Sequence, residues 1–444
     1  MRVKNTLIIA EWQRFGVEDI EKEGISPTQA RKIFAELVDF AHQEGNHRFL
    51  KFKNSNTLVA QNYVGIIQTK SGFCVEILPK TFYTANKYQG FEVQQDESKK
   101  QESIESAKVL LLKMLNFLKD FPFKQSNFAY LKLANMPLLE VFILMFLQEL
   151  ENLVKKGLKS SYVVQEENCR FLKGKLLFNQ NLKYNFSHKE RFFTASDEFS
   201  SNIAPNCLIK STLEFLNKQN LSSQTSARLA QMRFIFADIA PSQNIQRDFS
   251  ECQNLRHFKH YELILLWCEV FLKQHGFLPY QATSKAYALL FDMNKLFESF
   301  VASKMKKWSR GAKLNNEENE ELMKQIFEKV QNFSLTTQEQ SKYLAQNKKQ
   351  DNMFLLKPDI VCKDSQVVYF IADTKWKILK SSKNYGISQS DMYQIFAYLA
   401  KYQCKKGFLI YPKIGEGQKS EIFEFKPKIS NDTISLTICF FSLS

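Results

Sequence analysis

The stretch FLLKPDIVCKDSQVVYFIADTKWK, Phe354–Lys377, decides how the carboxy-terminal part of the chain is read. Apolar residues (Phe354-Leu355-Leu356, then Val367-Val368-Tyr369-Phe370-Ile371) run on without alternation and then give way to charge. A strand with one wet face alternates, whereas a strand covered on both faces reads as a nearly continuous apolar run. The pattern predicts two buried strands, Phe354–Val361 and Val367–Ala372, joined as a hairpin. Pro358-Asp359 of the first then lies beside Asp373-Thr374-Lys375 of the second, with 13 residues between the aspartates.

Two carboxylates at adjacent strand ends can face one hard cation. Magnesium takes an octahedral shell of oxygens and keeps several waters. Asp359, Asp373, the main-chain carbonyl of Thr374 and phosphate oxygens would therefore suffice. Lys375 falls two residues after Asp373, on the same strand face. Its ammonium can orient an attacking water and offset charge growing on a phosphate. The same residues also admit a plainer reading, a buried strand pair capped by a structural Asp–Lys ion pair.

Working outward, Glu298 lies in FDMNKLFESFV, Phe291–Val301, at helical spacing among apolar neighbours. A lone carboxylate there is costly unless it meets a cation or a metal-bound water, although a glutamate at the edge of an amphipathic helix is the simple alternative. Gln394 and Tyr398 stand four apart in DMYQIFAY, Asp391–Tyr398. They share a helix face and can both reach the strand ends, unless they only decorate a surface. Helices at Asn294–Trp308 and Asp391–Tyr402 and a strand at Gly407–Tyr411 complete an α/β pattern. A polar insertion, Asn315–Glu321, and a Gln/Lys/Asn-rich stretch, Gln338–Asn352, precede the strands.

The amino-terminal part reads differently. Short β-like runs occur at Thr6–Ala10, Leu58–Ala60, Val64–Thr69 and Phe73–Ile77, the last two joined through Lys70-Ser71-Gly72 as in a tight hairpin. One helix is expected at Thr28–His42. Gly90–Ser106 is polar and reads as a linker, after which Ala107–Phe123, Pro137–Lys156 and Ala204–Asn217 carry helical spacing. The expected division is a β-rich domain over 1–89, a linker over 90–106, a mainly helical region over 107–255 and an α/β domain over 256–444. The fold is α+β overall.

Composition bounds the function. In 444 residues, 44% are hydrophobic and 40 are Phe, against only 14 Gly and 10 Pro, which excludes wholesale disorder and fibrous repeats. The length predicts two or three domains. The most apolar runs, Leu138–Leu147 and Leu263–Leu272, contain Glu140 and Glu269 and read as core helices, not membrane spans. The start, MRVKNTLIIAEW, has too short an apolar stretch for a signal peptide. Eight cysteines without a CxxC pair suit reduced thiols in a cytoplasmic protein. A net charge of +15 suits a polyanionic partner such as nucleic acid. Gly415-Glu416-Gly417-Gln418-Lys419-Ser420 lacks the glycine spacing of a phosphate-binding loop and reads as a surface turn.

Taken together, Pro358-Asp359, Asp373-Thr374-Lys375, Glu298 and Gln394…Tyr398 resemble the PD-(D/E)xK nuclease superfamily with its Gln-x-x-x-Tyr extension. More narrowly, FDMNKLFESFV, DTKWK (Asp373–Lys377) and DMYQIFAY look like the McrC family, the endonuclease subunits of modification-dependent McrBC restriction systems. NYVGIIQTKSGFCVEILPK, Asn62–Lys80, looks like that family's amino-terminal domain. The resemblance implies a carboxy-terminal domain that hydrolyses DNA with Mg²⁺. It also implies docking onto a separate McrB-like AAA+ ring that binds GTP, recognises modified double-stranded DNA and has its GTPase stimulated. Asp359, Asp373 and Thr374 would hold the metal, Lys375 would position or activate water, and Glu298 would support the metal's water shell. Gln394 and Tyr398 would orient the DNA backbone or Lys375. Two rivals stay open: a non-catalytic scaffold or activator of a GTPase ring, and a stand-alone nuclease acting on RNA or damaged DNA.

Overall fold

In the computed structural model the described residues are 5–81, 97–118, 135–253, 259–272, 287–314, 316–328, 333–364, 367–379, 383–414, 418, 420–425 and 433–443. The chain divides into two compact units, Met1–Thr69 with Phe73–Asn135 and Leu290–Ser444, and Lys70–Gly72 with Met136–Leu289. The fold is mixed α/β.

In the first unit the amino-terminal strands are β1 (Thr6–Ala10), β2 (Arg14–Gly16), β3 (Leu50–Asn54), β4 (Thr57–Ala60), β5 (Tyr63–Gln68) and β6 (Cys74–Leu78), with a helix over Pro27–His42. β1 pairs with β6 in parallel, and β5 pairs with β6 antiparallel. The β5–β6 hairpin closes where Thr69 and Phe73 exchange hydrogen bonds and Gly72 takes a φ of +81°, a conformation glycine adopts without a Cβ penalty. Buried Val64, Ile66, Ile67, Val75 and Ile77 make this hairpin nearly all core.

The second unit holds helices over Leu138–Lys155, Ala204–Leu216, Ser223–Ile235 and Glu262–Leu272, together with β7 (Ser161–Cys169), β8 (Lys175–Leu176) and β9 (Phe192–Ser200), ordered β7-β9-β8. Its core stacks Trp267 on Phe271, with Phe142 and Phe146 against them. Glu140, buried on the apolar Leu138–Lys155 helix, accepts hydrogen bonds from Ser222 and Thr225. Among the described residues no helix is long and apolar enough to cross a membrane.

The carboxy-terminal part of the first unit follows β10 (Tyr287–Asp292). Asp292 ends that strand and caps the helix Met293–Ser309, accepting from the Asn294 amide at 2.9 Å. Six strands then form one sheet in the order β11-β14-β15-β16-β18-β17: β11 (Phe333–Thr337), β14 (Ile360–Asp364), β15 (Val367–Thr374), β16 (Lys406–Pro412), β17 (Glu421–Phe425) and β18 (Ile434–Phe441). β14 and β15 are antiparallel neighbours, whereas β15 and β16 are parallel. The helix Gln389–Tyr402 makes the crossover between them, as a parallel pair requires. Tyr343–Gln346 (β12) and Asn352–Leu355 (β13) form a separate two-stranded ribbon.

Several sequence expectations need correction. The run Phe354–Val361 is not one strand: β13 stops at Leu355 and β14 starts at Ile360. Pro358 has no N–H to give a ladder, and Phe354 sits at a φ of +60°. The stretch 90–106, read as a linker, already contains the start of the helix Glu97–Leu115, because Ile104 and Ala107 continue the buried face of Leu111 and Met114. That helix stops at Leu115, short of the expected Phe123, and residues 119–123 lie outside the described residues. The polar insertion Asn315–Glu321 leads into a helix, Glu317–Ile326, which Asn316 caps through the Asn319 amide. Strands β9, β11, β17 and β18 had no clear signal in the sequence. Gly415–Gly417 and Lys419, read as a surface turn, lie outside the described residues.

Candidate active site

The β14–β15 register sets Ile360 opposite Ala372, so Asp359 and Asp373 fall side by side at one end of the hairpin. Thr374 fixes Asp359 in place. Its main-chain N–H and its hydroxyl both donate to Asp359 Oδ2, each at 2.7 Å. Asp373 is 1% exposed, and its Oδ2 lies 2.5 Å from Lys375 Nζ. Lys375 in turn donates to Gln394 Oε1 at 2.9 Å, and Gln394 donates to the Tyr398 hydroxyl at 2.8 Å. Tyr398 closes the chain by donating to the Lys357 carbonyl, one residue before Pro358, at 3.2 Å. Gln394 and Tyr398 share a helix face by their spacing of four, and that face lies over the end of β15 because the helix is the β15–β16 crossover.

Glu298 enters from the Met293–Ser309 helix. The Gln338 side-chain amide lies 2.6 and 2.7 Å from its two carboxylate oxygens. Gln338 also donates its main-chain N–H to the Asp359 carbonyl at 3.0 Å, from a left-handed backbone with a φ of +54°. One residue thus ties Glu298 to Asp359. Nothing in its sequence context, a polar stretch 21 positions before Asp359, marked it.

The electrostatics follow from burial. Burial, then the neighbouring charge of Glu298, pushes the Asp359 carboxyl well above the usual carboxylate range, although Thr374 and Lys375 oppose the rise. Burial and then Asp359 push Asp373 up likewise, with Lys375 opposing. Glu298 is raised by burial, with Asp373 adding to the rise and Gln338 and Lys357 opposing it. Burial alone would lower the Lys375 ammonium, but Asp373, Asp359 and Asp391 outweigh it and hold it above the ordinary lysine value. Three carboxylates, Asp373 buried and Asp359 and Glu298 partly so, therefore share the site with one half-buried ammonium.

Among the described residues no three His, Cys, Asp or Glu side chains converge closely enough to hold a metal ion by themselves. The donor set still fits a hard divalent cation. Its candidate ligands are all oxygens, two aspartates and a main-chain carbonyl with room left for water, and its negative charge exceeds that of the single lysine.

Two further contacts brace the strand end. Lys377 donates to both carboxylate oxygens of buried Asp391, at 2.9 and 2.7 Å. Trp376, between the two lysines, donates its indole N–H to Glu11 at 2.9 Å, while Lys80 Nζ donates to the Trp376 carbonyl at 2.6 Å. Glu11 is 3% exposed. Sequence reasoning found neither Glu11 nor Gln338, because both act across long separations.

A family described as "McrBC 5-methylcytosine restriction system component" has a model that matches residues 58–412. No curated protein sequence matches the chain. Among solved structures, the chain is similar to one in a refined half-complex from a tetradecameric assembly of Thermococcus gammatolerans McrB AAA+ hexamers with bound McrC. That likeness has 16% identity and a TM-score of 0.64, and covers 98% of this chain and 94% of that one. A second match, in the cryo-EM structure of the Thermococcus gammatolerans McrBC complex, has 20% identity, a TM-score of 0.46 and coverage of 70% and 89%. At these identities the first likeness is one of fold, and it extends over nearly the whole chain.

Proposed function

Because the chain belongs to the McrBC 5-methylcytosine restriction system component family, we propose that it is the subunit that cuts DNA in such a system. It works together with an McrB-like AAA+ GTPase ring that binds the GTP and whose hydrolysis it stimulates. The observation that carries this reading is the meeting of Asp359, Asp373 and Lys375 at one hairpin end, linked to Gln394 and Tyr398, with Glu298 close enough to raise the Asp359 carboxyl. The substrate is modified double-stranded DNA, in keeping with the family and with a net charge of +15.

Asp359, Asp373 and the Thr374 carbonyl would hold a magnesium ion. When bound, that ion supplies Lewis-acid polarisation of the phosphate and a lower pKa for water. Thr374 keeps Asp359 Oδ2 occupied by two donors, which leaves Oδ1 as the oxygen to offer. Lys375 acts as an ammonium. Held by Asp373, it positions or activates the attacking water and offsets charge growing on the phosphate. Gln394 accepts from Lys375 and aims it, and Tyr398 fixes the Gln394 amide. Glu298, held by Gln338, would accept hydrogen bonds from water around the bound metal.

The test is plasmid cleavage with methylated and unmethylated DNA, with and without the ring partner, GTP and Mg²⁺. Cleavage should need all four of methylation, partner, GTP and metal, and Asp373→Ala should abolish it while partner GTPase stimulation persists. Wild-type cutting by Asp373→Ala would sink the assignment. Metal-dependent cutting by the lone chain would favour a stand-alone nuclease, and no cutting under any condition a scaffold.

A further inference from the structure

The ribbon β12–β13 touches the helix Gln389–Tyr402 along β12, where Lys401 reaches the Leu344 carbonyl, but most of its apolar side chains are left exposed. Among the described residues, Leu344 is 47% exposed, Met353 42%, Phe354 70% and Leu355 44%. Their arrangement is specific. The register sets Tyr343 opposite Leu355 and Ala345 opposite Met353, so these four share one face and Leu344 falls on the other, while Phe354, at a φ of +60°, leaves the regular pleat. A ribbon that docks on a protein surface through one face keeps its other face polar. This one is apolar and exposed on both.

Its tip is basic. Asn347 organises the turn by accepting from the Lys349 and Asp351 amides, each at 2.9 Å, and by donating to the Asp351 carboxylate at 2.8 Å. Asp351 is thereby occupied, and among the described residues no carboxylate pairs with exposed Lys348 or Lys349. From 341 to 357 the chain carries four lysines against one aspartate, a net charge of +3.

The base of the ribbon is tied to the candidate active site. Leu356 is buried and bonds through its N–H to the Lys342 carbonyl at 2.9 Å, and Lys342 reaches the Lys401 carbonyl at 3.3 Å, on the helix that carries Gln394 and Tyr398. Lys357, Pro358 and Asp359 follow directly. Phe354 is therefore at most roughly 17 Å of chain from Asp359, and the tip about 20 Å further along the ribbon than Leu356. Whatever covers the ribbon is therefore anchored within a few residues of the candidate active site. Phe354 also holds a left-handed backbone, φ +60°, which is costly for a bulky side chain and recurs where a ligand is gripped.

We infer that the β12–β13 ribbon enters a groove of the duplex being cut, with Lys348 and Lys349 on the flanking phosphates and Phe354 against the bases. A groove has walls on both sides, and the major groove, about 12 Å wide, admits a two-stranded β-ribbon. Unpaired lysines at the tip meet phosphates, and the apolar faces meet base edges and methyl groups. The inference rests on the nuclease reading above and names the surface by which that site holds its substrate.

The test uses the full chain with its ring partner, GTP and Mg²⁺, on a methylated duplex several helical turns long. Binding is measured in an Asp373→Ala background. The double variant Lys348→Glu/Lys349→Glu should bind at least about tenfold more weakly, with a salt slope shallower by about two. Phe354→Ala should raise the KM for cleavage about tenfold with kcat nearly kept. Both sites are exposed, and circular dichroism and retained GTPase stimulation confirm the fold. Unchanged affinity and salt slope overturn the inference and leave the nuclease reading standing. So do variants that bind DNA normally but lose ring assembly or change oligomeric state, since the ribbon's occupant is then a protein. If the parent chain neither binds nor cuts the duplex, the nuclease reading fails and the ribbon assignment with it.

Discussion

The Gln338 amide nitrogen lies 2.6 and 2.7 Å from the two carboxylate oxygens of Glu298, 40 positions away in sequence. A neutral donor on both oxygens lets a carboxylate stay charged in a site already crowded with aspartates, since its hydrogen bonds offset part of the desolvation. Removing it leaves Glu298 with only the charges of Lys357 and Lys295 to oppose the rise in its pKa. Gln338→Leu should lower cleavage about 10–100-fold, the range seen when groups that orient metal ligands are lost. Gln338→Glu should be worse, because it adds a fourth carboxylate. The check is kcat against Mg²⁺ concentration, with Mn²⁺ binding followed separately by electron paramagnetic resonance. A Gln338→Leu enzyme with wild-type kcat and metal dependence would show that the amide contact is incidental.

Asp359→Asn should stabilise the metal-free protein while abolishing cleavage. The asparagine oxygen can still accept from Thr374, whereas repulsion with Glu298 and Asp373 disappears. Each unit of pKa elevation corresponds to about 1.4 kcal/mol against the charged form, so a gain on the order of 1–2 kcal/mol is expected. The sign with pH follows. A carboxyl whose folded pKa is raised binds its proton more tightly when folded, so wild-type stability falls as pH rises from the ordinary carboxylate range toward neutrality. The variant's advantage should therefore be present at neutral pH and vanish near pH 4. Urea melts in EDTA at several pH values measure it. Added Mg²⁺ should restore wild-type stability and do less for the variant. An Asp359→Asn protein less stable than wild type at neutral pH would contradict the shared-charge account.

How much of this was legible in the sequence depends on the distance over which each residue acts. The β5–β6 hairpin was readable because its turn residues and its apolar strands are adjacent. Asp359, Asp373 and Lys375 were readable because one hairpin delivers them, and Gln394 and Tyr398 because one helix turn separates them. Gln338 and Glu11 were not. Glu298 and Gln338 meet over 40 positions, and Glu11 and Trp376 over 365, separations at which periodicity carries no information. The ribbon hid for a different reason: the Phe354-Leu355-Leu356 run reads as a buried strand, and only the fold reveals that Phe354 and Leu355 are exposed while Leu356 alone is buried.

Gln394 bridges Lys375 and Tyr398. Gln394→Leu deletes the acceptor that aims the ammonium but leaves the ion pair between Lys375 and Asp373, at 2.5 Å. Lys375 should then be held by Asp373 alone and lose its aim, with kcat falling about tenfold or more and KM for DNA little changed. Tyr398→Phe removes one donor to the Lys357 carbonyl, a loss of about 1 kcal/mol in stability with a smaller effect on kcat. Single-turnover cleavage at saturating DNA separates the two quantities. Should Gln394→Leu alter KM alone, the glutamine would be a DNA contact.

Glu11 holds the residue next to Lys375 from the other end of the chain. Its carboxylate is buried and accepts from the Trp376 indole at 2.9 Å and from the Lys80 amide at 2.9 Å, and burial raises its pKa despite the nearby Lys80 ammonium. Glu11→Ala strips the acceptor from two buried donors and removes the carboxylate facing Lys80, so it should cost about 3 kcal/mol or more. Glu11→Gln keeps an acceptor oxygen of nearly the same shape and should cost about 1 kcal/mol. If Trp376 transmits that support to Lys375, Glu11→Ala should also lower kcat at a temperature where the protein remains folded, while Glu11→Gln stays close to wild type. Equal stability of the two variants in urea melts would show that the buried acceptor contributes nothing. A folded Glu11→Ala enzyme with full kcat would confine Glu11 to holding the fold.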